Sequence, residues 1–149
     1  KPWTKCRRFP ALPDMAGLGH PCPGANGRKR KRKYILLING DEDILTREPA
    51  PGEPPVSPEF MAYTEAMMKA GVMVGGERLG QTKASARVRV RDGKSVVLDG
   101  PYADTKEQLG GYYLVDVPTI DEAISWALRC PAAKYGTIDV RPVMPNGRD

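Results

Sequence analysis

Two segments carry both helix-start and helix-stop signals, and each stands between apolar runs of strand length. That alternation limits what the chain can fold into. In the first segment, Ser57 can cap the free N–H groups of a helix. Pro58 suits the first helical position, and Glu59 complements the positive end. Phe60, Tyr63, Met67 and Ala70 then recur at helical spacing up to Gly71, a natural stop. Met61, Met67 and Met68 read as core filler. The second segment opens on Thr119-Ile-Asp-Glu122, a capping box in which Thr119 and Glu122 exchange bonds with each other's backbone. Ile120, Ala123, Ile124, Ala127 and Leu128 form its apolar stripe, and Pro131 closes it.

The intervening runs are strands. Tyr34–Ile38 is short and wholly apolar, and Asn39-Gly40-Asp41 breaks it. Residues 41–56 are rich in proline and acids and read as a loop. Val72–Val74 is a second strand, followed by Gly75-Gly76, which permit a bulge or bend. Arg87-Val-Arg-Val-Arg91 alternates strictly, and Asp92-Gly93 marks a two-residue hairpin turn to Ser95–Leu98. Its arginine row could bind an anion, but a solvated face guarding a sheet edge is the commoner role. Tyr112–Val117 and Thr137–Val143 complete the set, and Pro142 marks the last as ending or lying at an edge.

The order is therefore β–α–β–hairpin–β–α–β. This predicts an α+β fold of ferredoxin-like split βαβ type with an inserted hairpin. Helices on one face of an antiparallel sheet leave the other apolar face open. A second copy of the chain, giving a homodimer, would cover it economically.

The rest of the composition narrows the function classes. The formal net charge is +5, but residues 1–33 hold ten Lys/Arg and one acid, while residues 34–149 hold thirteen Lys/Arg and seventeen acids. Residues 1–32 read as a disordered, basic, Pro/Gly-rich tail, and 33–145 as the domain. The mildly acidic domain is a poor nucleic-acid binder, which leaves only the run Arg28–Lys33 as a basic patch. That run reads more readily as a solvated tail. No apolar run is long enough to span a bilayer. Cys6, Cys22 and Cys130 are odd in number and lack Cys-x-x-Cys spacing, so neither disulfides nor a metal site is expected, and no cofactor is. A reducing cytoplasm is the expected location.

One segment carries chemistry. Residues 98–111 fall between apolar strands yet are dense in polar and turn residues. Gly100-Pro101 makes a turn, and Gly110-Gly111 allow close backbone approach. Asp99, Tyr102, Thr105 and Lys106 are the candidate binding residues, and Asp104 and Glu107 the candidate proton carriers. Burial would raise a carboxylate's pKa toward neutrality, whereas Lys106 nearby would lower it. Asp99 could equally cap the turn, and Lys106 and Glu107 could be plain surface charges.

The run Asp99-Gly-Pro-Tyr-Ala-Asp-Thr-Lys-Glu-Gln-Leu-Gly-Gly-Tyr-Tyr113 resembles the signature of the DGPF family, a branch of the YCII-related proteins. Lys33–Glu42, Ala70–Leu79, Val88–Gly93 and Pro131–Val143 are similar to its other segments. The resemblance implies a ferredoxin-like fold paired as a dimeric α+β barrel, with a cleft near the signature loop. Related proteins are thought to use a His–Asp pair, and at least one is a dehydrochlorinase acting on a chlorinated aromatic. This chain departs from that pattern: its single histidine, His20, lies in the tail. It also has Tyr102 where the family name has Phe, which adds a phenol that either packs or donates a hydrogen bond. Two functions stay open. One is binding or transformation of a small molecule in the cleft, as an enzyme or a plain binder. The other is a non-enzymatic dimeric accessory protein, since the resemblance also implies an association with extracytoplasmic-function sigma factors.

Overall fold

In the computed structural model, residues 32–100 and 106–145 are described. The expected tail, residues 1–32, lies outside them except for Arg32, as do Tyr102, Asp104 and Thr105 of the signature loop.

The chain enters on β1 (Arg32–Asp41) and turns through a single helical turn, α1 (Glu42–Leu45). A proline-rich strap, residues 46–57, leads to α2 (Pro58–Lys69) and then β2 (Met73–Arg78). A 3₁₀ turn at Thr82–Ala84 precedes the hairpin strands β3 (Ala86–Arg91) and β4 (Lys94–Asp99). Next come β5 (Glu107–Val117), α3 (Ile120–Arg129), a 3₁₀ turn at Pro131–Lys134 and β6 (Gly136–Pro142). Four strands pair in the order β2-β5-β1-β6, all antiparallel, while β3 and β4 form a separate two-stranded sheet. This is the α+β, ferredoxin-like arrangement expected, with β6 and its Pro142 at an edge.

Both helix starts form as their sequences dictate. The Ser57 and Thr119 hydroxyls accept from the backbone N–H groups of Phe60 and Glu122, at 3.5 and 3.3 Å. The helices cover the sheet face that carries Tyr34, Leu36 and Ile38 of β1 and Val115 and Val117 of β5. Tyr63, Met67, Ala123 and Ala127 descend onto that face. Leu36, Met67, Val115 and Val117 are fully buried. The Tyr63 ring meets Tyr113 edge-on with centroids 5.4 Å apart, and its hydroxyl donates to the Trp126 carbonyl at 2.8 Å. Ile35, Leu37, Tyr112 and Leu114 lie on the opposite face, half-buried, with no helix over them among the described residues.

Several expectations need correction. Ile120 and Leu128 are exposed, and Trp126 packs against the core in their place. Of the three α2 methionines only Met67 is core; Met61 and Met68 face solvent. The second strand begins at Met73 and runs through Gly75-Gly76 to Arg78, with Val74 as the extra residue of a bulge. The fifth strand starts five residues early, at Glu107, so half of the supposed signature loop is sheet. The slip in its pairing with β1 leaves Gly110 as the bulged residue.

Candidate functional site

The helical face of the sheet is not filled to its end. Beyond the first turn of α2 lies a cavity of about 650 Å³. Ile38, Gly76, Gly111 and Tyr113 form its floor, Phe60 and Thr64 of α2 one wall, and Leu45 and the strap the other, with Tyr135 at the margin. The glycines clear this floor. A Cβ at Gly76 would stand 2.6 Å from the Tyr113 ring and 2.8 Å from the Tyr112 carbonyl oxygen. One at Gly111 would stand 2.9 Å from the Glu77 carbonyl oxygen. Larger residues at either position would push the strands or the ring into the space now open.

The strap is tied down by charge. Arg47 pairs with Glu53 at 2.9 Å, and the same Glu53 oxygen accepts the Ala50 backbone N–H at 3.1 Å. The Ala50 N–H and the Arg47 guanidinium together hold the Glu53 carboxyl below the usual carboxylate range. Arg78, on β2, donates Nη1 to the Pro55 carbonyl at 2.9 Å and Nη2 to the Arg47 carbonyl, bracing both ends of the strap. The hydroxyls of Thr64 and Tyr113 meet at 3.0 Å in the cavity wall. Burial pushes the Tyr113 phenol up from its ordinary value, and burial does the same at Tyr135. Near neutral pH these phenols are therefore protonated hydrogen-bond donors.

The residues nominated from the sequence sit elsewhere. Asp99 ends β4, exposed, opposite Ala86 at the hairpin base. Lys106 and Glu107 are exposed where β5 begins. Asp99, Lys106 and Glu107 do not line the cavity, whereas Gly110, Gly111, Tyr112 and Tyr113, which close the same signature, do. The reason is parity. Asp41 faces Glu107 across the ladder, and beyond the Gly110 bulge Glu107 lies on the open face, where Thr137 donates to it at 3.3 Å. Tyr102, Asp104 and Thr105 lie outside the described residues. Sequence reasoning missed Thr64, Arg78 and Tyr135; the paired glycines on β2 and β5 were the available signal.

At the hairpin base, Glu42 accepts from both the backbone N–H and the hydroxyl of Thr82, the latter at 3.0 Å. Among the described residues no group of three or more His, Cys, Asp and Glu could hold a metal ion, and no helix is long and apolar enough to cross a membrane. Cys130 is buried behind Tyr63, and burial raises its thiol pKa.

A protein of Rhizobium meliloti (strain 1021), itself described only as uncharacterised, is 34% identical over 112 residues, or 74% of this chain and 90% of its own length. The model of the YCII-related domain matches residues 33–146, from the second residue of β1 to just past β6. With the split βαβ sheet, the helices on one face and the signature closing on Tyr113, the chain belongs to the YCII-related domain family.

Proposed function

We propose that this YCII-related protein binds a small, largely apolar molecule in the cavity between the strap and the sheet, and that it does so as a homodimer. The cavity itself carries the reading: about 650 Å³, within the range of small-molecule sites, walled mostly by apolar and aromatic groups with a few convergent donors. The donor set favours recognition over proton abstraction. Its phenols stay protonated near neutral pH, and Glu53 is engaged in holding the strap. The homodimer rests on the open sheet face, where Ile35, Leu37, Tyr112 and Leu114 are half-buried with no helix above them among the described residues.

The test is a thermal-shift screen of the full chain against aromatic and phenolic compounds. A ligand at about one hundred times its Kd stabilises the native state by about 2.7 kcal/mol, which raises Tm by several degrees. Thr64→Phe, which fills the cavity wall, should abolish the shift. A shift that persists in that variant would place the ligand elsewhere, and no shift with any compound would remove the support for a ligand site. Light scattering at micromolar concentration checks the dimer; a monomer mass would refute it.

A second reading, an accessory protein acting through protein contacts, is favoured by the hairpin. It exposes Val88, Val90 and Val97 on one face, and Val96 and Leu98 beside Arg87 and Arg89 on the other, which gives the arm one apolar side open to a partner.

A further inference from the structure

We propose that the molecule taken into the cavity carries a carboxylate on an apolar, flat body, and that Arg78 recognises it. This rests on the cavity being a ligand site.

Strand alternation carries the first step. Gly76 faces Tyr113 across the ladder and Arg78 faces Gly111, so both lie on the cavity side of β2. Glu77, paired with Tyr112, lies on the other side. The acid next to Arg78 in sequence thus carries its side chain to the other face, while its backbone borders the cavity.

The second step is a comparison of the two arginines on the cavity. The Arg47 charge is matched by Glu53 at 2.9 Å. Arg78 makes no ion pair with any described carboxylate; its partners are the carbonyls of Pro55 and Arg47. Carbonyl oxygens accept hydrogen bonds but do not neutralise charge. A guanidinium has five N–H donors in a planar fork, of which these bonds engage two. The net positive charge borders a cavity also lined by Phe60, Met73 and Tyr113.

The third step is the size of the anion. One unmatched guanidinium and one neutral hydroxyl pair, Thr64 with Tyr113, suit a singly charged carboxylate better than a phosphate dianion. The apolar body would lie against the aromatic walls, the acid toward Arg78. Bracing the strap and meeting the acid would then be joint duties of one side chain.

The experiment is calorimetric titration of the full chain with naphthoate and with its neutral isostere naphthamide. Naphthoate should bind tighter, by about fivefold or more, a modest factor because Arg78 is partly open to solvent. Arg78→Met should bring the two affinities together, and Arg78→Lys should keep part of the preference. The preference in the unaltered protein should also shrink between about 0.01 M and about 1 M salt, a readout that holds even where a variant folds poorly. Equal affinities, or a preference that survives both Arg78→Met and high salt, would overturn the carboxylate assignment and leave the cavity as a site for neutral molecules. Binding of neither compound would overturn the assignment and the ligand-site reading together.

Discussion

The four-stranded sheet and the β3–β4 hairpin come from similar sequence, alternating or apolar runs rich in valine, yet they end in opposite states. Leu36 on β1 is 1% exposed; Val88 and Val97, cross-strand partners in the hairpin, are 68% and 60% exposed. Every hairpin residue from Ala86 to Asp99 is exposed. The hairpin turn itself is well specified, with Asp92 and Gly93 at φ of 50° and 72°, as a two-residue turn of right-handed twist requires. Local sequence is thus enough to form a hairpin, but burial depends on whether a helix lands on it. Among the described residues two helices land on the sheet and none on the hairpin, whose base is tied to the domain by the bonds of Thr82 to Glu42. An isolated two-stranded sheet is marginal in water.

Substitutions in the two regions should differ in cost. The largest effect should come from Leu36→Ala, which removes a fully buried side chain and should lower stability by about 2–5 kcal/mol in urea unfolding. A loss below about 1 kcal/mol would mean that the core is looser than its burial indicates.

Next is Gly76→Ala. The added methyl meets the Tyr112 carbonyl, which cannot swing aside, and should cost about 1–3 kcal/mol by the same measurement. Its hairpin counterpart, Gly93→Ala, strains a positive-φ turn but should leave the global midpoint alone. It should show instead as faster amide exchange across residues 86–99. A fall in the global midpoint would tie the hairpin to the core.

The sheet should also carry a pH dependence of its own. Burial, then the neighbouring Cys130 and Tyr113, push the Tyr63 phenol up from its ordinary value near 10. Above that value the unfolded chain gives up its proton while the folded chain keeps it, so the stability present below pH 10 falls as pH rises. Tyr63→Phe should flatten this alkaline loss in Tm measurements; an unchanged slope would assign it to other groups.

The smallest effect should come from Val88→Ser with Val97→Ser, within about 0.5 kcal/mol for surface positions. A larger loss that grows with protein concentration would show that a second copy covers the hairpin in solution.

Elements whose signals are local were legible in the sequence. Ser57 and Thr119 sit within three residues of the groups they cap, and Asp92-Gly93 needs only its own dihedrals. The fold class followed from the order of those elements. The start of β5 was not legible because Glu107 and Gln108 are polar; pairing with Asp41 and Gly40 of β1 makes them strand. Leu128 fitted a helical stripe, but the helix lies so that Trp126, with Arg129 4.2 Å over its ring, takes the contact. The cavity was the least legible feature. Phe60, Arg78 and Tyr113 come from three elements, and only the sheet register brings them around one space. The signature loop drew notice for its charges, while its cavity-lining end consists of two glycines and two tyrosines.

The Gly110 bulge keeps count between two strands of unequal spacing. A strand reads its two faces as odd and even places, and the bulge absorbs one residue of β5, so that Leu109 and Glu107 stay opposite Asn39 and Asp41 on the open face. Deleting Gly110 would leave that assignment in place, because Leu109 would then follow Gly111 in regular alternation. Drawing Gly110 into the ladder instead would exchange odd and even for everything upstream and carry the Glu107 carboxylate to the cavity end of the sheet. One unpaired glycine thus decides on which side of the sheet an acid stands.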